Sequence, residues 1–192
     1  MEDLNEEKVL ELRMYFFVPY NISEIQKGIQ AGHAALRYTR MFSVDNPEVW
    51  DFVDNHETWI ILNGGTTNET RDFDGIPEGS MNKIADSLVD NNIPFSYFTE
   101  PDLNNSLTAL CFLCDERVFN SEDYPEFIDY LNENHNDNYI KRISEKFEEM
   151  LNIGNLEELA AEFPEEYKEW VRNMGGVKNV FLRELIKDKR LA

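Results

Sequence analysis

Gln26, Gln30, His33 and Arg37 recur at i, i+4, i+7 and i+11 within the stretch Asn21–Tyr38. That spacing lays two amides, an imidazole and a guanidinium along one stripe of a helix, where they could line a polar site. Lys27 stands beside the stripe, turned about 100° around the helix. A second stretch, Phe98–Leu113, places Glu100 and Asp102 on either side of Pro101, followed by Asn104, Asn105 and Thr108. Each of these groups also has a plain structural use. Most polar helix faces only meet water. A histidine among small helix residues is commonly a hydrogen-bonded packing group, and a Pro turn uses Asp and Asn to bond its own backbone. The two stretches carry weight as a pair.

The elements that must position them are legible in order. Residues 11–18 are rich in aromatic and β-favouring side chains and stop at Pro19, which predicts a buried strand. A helix over 21–42 follows, with Ser23 or Asn21 as N-cap. Ile25, Ile29, Gly32 and Leu36 form an apolar stripe expected to pack inward, while Gly32, Ala34 and Ala35 allow close approach to a neighbouring backbone. Asp45-Asn46-Pro47 opens a short second helix. Residues 58–62 predict a second strand, and 63–79 an exposed loop whose Gly64-Gly65 lacks the Gly-Lys-Ser/Thr of a phosphate loop. Ser80 is expected to cap a helix to Asn91 with Met81, Ile84, Ala85 and Leu88 inward. Strands over 93–99 and 107–113 complete the order β-α-α-β-α-β-β.

This order predicts an α/β fold: a three-layer α/β/α domain on a mixed four-stranded sheet over residues 11–118. An acidic α-helical C-terminal extension over 119–192 is expected to follow. Helical stretches are predicted near 122–134, 137–151, 155–172 and 176–188, the second with Ile140, Ile143, Phe147 and Leu151 on one stripe.

The 192 residues, 42% hydrophobic and 12% aromatic, suffice for one well-cored domain with an appendage. The net charge of −20 and pI near 4.4 predict solubility and repulsion from nucleic acid and anionic membranes. Before residue 120 there are 21 acids against 8 Lys/Arg, and after it 17 against 10, so neither part is basic. No run of about eighteen apolar residues exists to span a membrane, and the acidic start lacks the features of a secretory signal. Cys111 and Cys114 alternate to opposite faces of a strand, which disfavours a disulfide or a shared metal and suits a reducing cytoplasm. His33, His56 and His135 form no zinc pattern, so neither metal nor cofactor is expected.

The run Gln30-Ala31-Gly32-His33-Ala34-Ala35 with Tyr38, set on the first helix after the opening strand, resembles the signature helix of type-2 peptidyl-tRNA hydrolases. The element order resembles that family's as well. The family also carries an Asp and a Thr in the connection between its third and fourth strands. Residues 98–110 occupy that place here, as a shorter variant. The resemblance covers roughly residues 11–115. Two departures stand out. The family's helix Lys aligns with Gln26, one residue before Lys27, and its Asp aligns with Glu100 or Asp102. Its Thr aligns with Thr108, or its role passes to Asn104, Asn105 or Ser106.

The activity this resemblance implies is hydrolysis of the ester joining a peptide or amino acid to the 3′ end of tRNA, a carboxylic-ester hydrolase reaction of the aminoacyl-tRNA hydrolase type. It needs an activated water and a donor to the developing oxyanion. Asp102 or Glu100 would orient or deprotonate water, and Asn104 or Asn105 would donate to the oxyanion. Gln26, Lys27, Gln30, His33, Arg37 and Asn105 would hold the substrate. A tRNA substrate needs a local basic rim, for which Lys27, Arg37, Arg40 and the tail residues Lys187, Lys189 and Arg190 are the candidates. The competing expectation is a catalytically silent acidic protein, of a kind that suits a phage or mobile element. It would use the same cleft for a small ligand or a protein partner.

Overall fold

The computed structural model describes residues 9–67, 79–134 and 156–192. They divide into two compact units, residues 1–116 with 181–192, and residues 117–180.

The first unit is a mixed four-stranded sheet. Leu12–Pro19 (β1) carries seven buried positions among its eight and lies inside the sheet, which accounts for its near-continuous apolar run. Glu24–Phe42 (α1) and the short helix Pro47–Asp51 (α2) lead to Thr58–Gly65 (β2), which pairs with β1 in parallel. Parallel neighbours require such a crossover. Ser80–Asp90 (α3) then precedes Phe95–Glu100 (β3) and Ser106–Asp115 (β4), an antiparallel pair. β4 returns beside β1, so the order across the sheet is β2-β1-β4-β3.

Alternation along β1 divides the core into two layers. Leu12, Met14, Phe16 and Val18 pack with Ala31, Ala34, Ala35 and Tyr38 of α1 and with Val49 and Phe52. Phe17 points the other way, where a side chain at Gly64 would meet both it and Met81 of α3. Helices therefore cover both faces, which is the expected three-layer α/β arrangement. Cys111 and Cys114 are buried free thiols, and burial pushes both well above the usual thiol range.

Two local expectations are corrected. Ser80 does not cap α3; Gly79 holds that position, and Ser80 Oγ donates to the Gly64 carbonyl at 2.7 Å and accepts from Thr66 N–H at 2.8 Å. The larger correction is the orientation of α1. Ile25 (77% exposed), Ile29 and Leu36 (72% exposed) face outward, not inward. The buried face is Lys27, Gln30, Ala31, Ala34, Ala35 and Tyr38. Small side chains let the helix lie close to β3 and β4, where Ser96 Oγ donates to the Ala34 carbonyl at 2.6 Å. A Leu or Ile stripe on that face would hold the backbone too far off for this bond.

After Asp51 the chain makes one π-helical turn, Phe52–His56, closed by Glu57 in the left-handed region at φ 54°. The C-terminal segment of this unit returns to the outer edge of β2. Ala192 N–H donates to Ile61 and Asn63 N–H to Arg190, at 3.0 and 2.9 Å.

The second unit holds Phe127–Asn134, Leu156–Glu162 and Pro164–Asn173 as helices, the last begun by Pro164 at its first turn. Its core gathers Phe127, Leu131, Trp170, Met174 and Val180, and the Trp170 indole donates to the Pro125 carbonyl at 2.9 Å. The amphipathic stripe expected over 137–151 and most of the loop expected over 63–79 lie outside the described residues. Among the described residues, no helix is long and apolar enough to cross a membrane.

Candidate functional site

One side chain on the buried face of α1 bonds to both β3 and β4. Gln30, 3% exposed, donates from Nε2 to Glu100 Oε2 at 2.7 Å and accepts at Oε1 from Thr108 Oγ1 at 2.6 Å. The chain thus brings together residues 70 and 78 positions apart. Thr108 is fully buried in β4, where its hydroxyl also lies 3.4 Å from the Phe98 carbonyl. Because the hydroxyl donates to the amide oxygen, the amide nitrogen is held toward the carboxylate. Glu100 is half-buried at the end of β3. Its other oxygen, Oε1, faces Asp102 N–H at 3.5 Å, so the carboxylate caps the turn Pro101–Leu103.

A stacked group borders this relay. His33 lies against Phe98 with ring centroids 4.3 Å apart and planes at 19°. The Arg37 guanidinium sits 4.7 Å from the centroid of the same ring and donates to the Tyr97 carbonyl at 2.9 Å. Phe98 and Ser96 escaped the sequence reading as site elements. The alternation of β3 was the available signal, since Ser96, Phe98 and Glu100 share one face of that strand.

The other anticipated residues fall in distinct places. Gln26 belongs to a capping box: its backbone N–H donates to Ser23 Oγ, and its own Oε1 accepts from Ser23 N–H at 3.3 Å. Ser-x-x-Gln was visible in the sequence as that signature. Lys27, in contrast, is buried on the Gln30 face, one turn before it, with Nζ 2.8 Å from Glu24 Oε1. Asp102 is exposed in the short turn. Asn104 and Asn105 are exposed at the hairpin tip with φ of 53° and 56°, a backbone conformation Asn tolerates well. Arg190 lies along β2, at the opposite edge of the sheet from β3, so its backbone is not beside Gln30 and Glu100. Among the described residues, no cluster of His, Cys, Asp or Glu could hold a metal ion.

The relay has a direct energetic consequence. Thr108→Val keeps the shape of the side chain but leaves the buried Gln30 Oε1 without its donor. That loss costs about 1–3 kcal/mol, and urea unfolding of the variant is expected to show it.

The sequence matches no protein-family model and no curated protein.

Proposed function

We propose that the cleft between α1 and the β3–β4 hairpin hydrolyses the ester of peptidyl- or aminoacyl-tRNA. The observation that carries this reading is the Thr108–Gln30–Glu100 relay, which aims a half-buried carboxylate from a helix whose motif resembles the type-2 hydrolases. Glu100 takes a proton from water as the oxygen attacks the ester carbonyl carbon. The tetrahedral oxyanion takes a hydrogen bond from Lys27, the charged donor on the Gln30 face of α1, whose ammonium is held by Glu24. The intermediate collapses by breaking the bond to the 3′ ribose oxygen, which takes the proton back from the Glu100 carboxyl and restores the carboxylate. Gln30 and Thr108 act through Glu100 as positioning residues.

The net charge argues that contact is confined to the 3′ end of the tRNA. The exposed His33 ring, backed by Phe98, offers a stacking surface to the terminal base. The test is hydrolysis of labelled N-acetyl-aminoacyl-tRNA by the purified chain at low salt. Release of the free acyl-amino acid at a rate proportional to protein concentration supports the reading. Absence of turnover by folded, monodisperse protein rejects it.

A further inference from the structure

The outward apolar ridge of α1 is half of a groove. Ile29, Gly32, His33, Ala35, Leu36 and Thr39 form one wall, and Phe52, Val53 and Glu57 the other, over a floor of Met14 and Trp59. The cavity is about 690 Å³, large enough for several bulky side chains. Gly28 and Gly32 leave open space along the ridge, where an added Cβ would touch nothing. Within the groove, Ile29, Leu36 and Trp59 are each about half or more exposed, and a monomer rarely leaves such an apolar patch without use.

Charge selects the occupant. From Met41 to Gly65 there is no Lys or Arg. The segment forming the second wall instead exposes Glu48, Asp54 and Glu57, while Asp51 is engaged by Asn55 at 2.7 Å and lies 3.5 Å from His56. On the α1 side, Arg37 is committed to Phe98 and Tyr97, leaving Arg40 exposed in the last turn. A second copy of this chain would bring like-charged walls together, and nucleic acid or an anionic bilayer would meet the same repulsion. We propose that the groove docks a cationic amphipathic helix of a partner protein. Its apolar anchors at i, i+3 or i+4 and i+7 would fill the cavity, and its Lys or Arg residues would face Glu48, Asp54 and Glu57. The groove borders the proposed hydrolase site at His33, but its test reads peptide binding and not turnover, so failure of one reading is distinguishable from failure of the other.

The probe is a designed Leu/Lys amphipathic peptide, with a Leu/Glu peptide of the same apolar stripe and a scrambled Leu/Lys peptide as controls. Binding is followed by anisotropy of the labelled peptide and by the emission of Trp59. The Leu/Lys helix is expected to bind with a blue shift that Trp59→Phe removes. Affinity should fall roughly tenfold in Leu36→Ser and again when Glu48, Asp54 and Glu57 become Gln, Asn and Gln together, one anchor being worth about that much. Leu36 is exposed, so its variant should fold as the parent does, which circular dichroism checks. Equal affinity in both variants, or equal binding of the scrambled peptide, overturns the proposal. So does equal binding of the Leu/Glu helix, and so does a concentration-dependent dimer that Leu36→Ser disperses.

Discussion

Glu100→Gln is expected to lower hydrolysis of N-acetyl-aminoacyl-tRNA by at least about a hundredfold, the usual scale for removing a general base. The substitution is chosen to isolate proton transfer. Gln keeps one oxygen, which can still accept from Gln30 Nε2, so the relay survives. The second oxygen becomes an NH2 and gives up only its long, 3.5 Å contact with Asp102 N–H. What is lost is the ability to take a proton from water. Circular dichroism and the melting temperature should therefore match the parent. Asp102→Asn is the natural comparison, because Asp102 is exposed and nothing ties it to α1. Its rate is expected within about threefold of the parent, well short of a general-base effect. Loss of turnover in Asp102→Asn with retention in Glu100→Gln would move the base two residues along the chain. Parental rates in both would remove the hairpin from the chemistry.

The sequence carried the two central strands, β1 and β4, most clearly because they are nearly continuous apolar runs, and a strand buried on both faces needs no alternation to be recognised. Met81, Ile84, Ala85 and Leu88 of α3 were equally legible, since its large side chains do point inward. α1 obeys the opposite rule. There the close approach of backbone to sheet is set by Ala31, Ala34 and Ala35, and the large apolar residues remain outside. Periodicity finds stripes, but it assigns them to inside or outside by size and polarity alone. In α1 that assignment inverts, because buried Gln30 and Lys27 have partners that lie elsewhere in the chain or at an exposed helix end.

The site was legible to a similar degree. Gln30 and His33 were named from type and spacing, and Glu100 and Thr108 from the resemblance, but the side chain that joins Glu100 to Thr108 could not be chosen. A contact between residues 70 positions apart depends on the register of β3 against β4, which includes a shift between Phe98 and Thr99. Gln26 and Lys27 show the same limit on a smaller scale. Rotating the helix by one residue exchanges which of them faces the sheet, and the correct rotation follows from packing that the motif does not encode.

That rotation can be measured. Ala34→Leu adds three carbons to a fully buried position between α1 and the sheet, whose carbonyl accepts from Ser96. Overpacking of this kind costs about 1–3 kcal/mol, or roughly 2–4 °C of melting temperature per kcal/mol in a chain of this length. The helix cannot shift to relieve it without stretching the bonds from Thr108 to Gln30 and from Arg37 to the Tyr97 carbonyl. Activity is therefore expected to fall along with stability, because Gln30 loses its aim at Glu100. Leu36→Ala removes the same three carbons from the same helix, yet the side chain is mostly in water. Its effect should stay within about 0.5 kcal/mol, helped by the helix propensity of Ala. A large loss in Leu36→Ala beside a tolerated Ala34→Leu would mean that the Leu stripe, not the alanine face, packs on the sheet. In that event neither the relay nor the groove could exist as described.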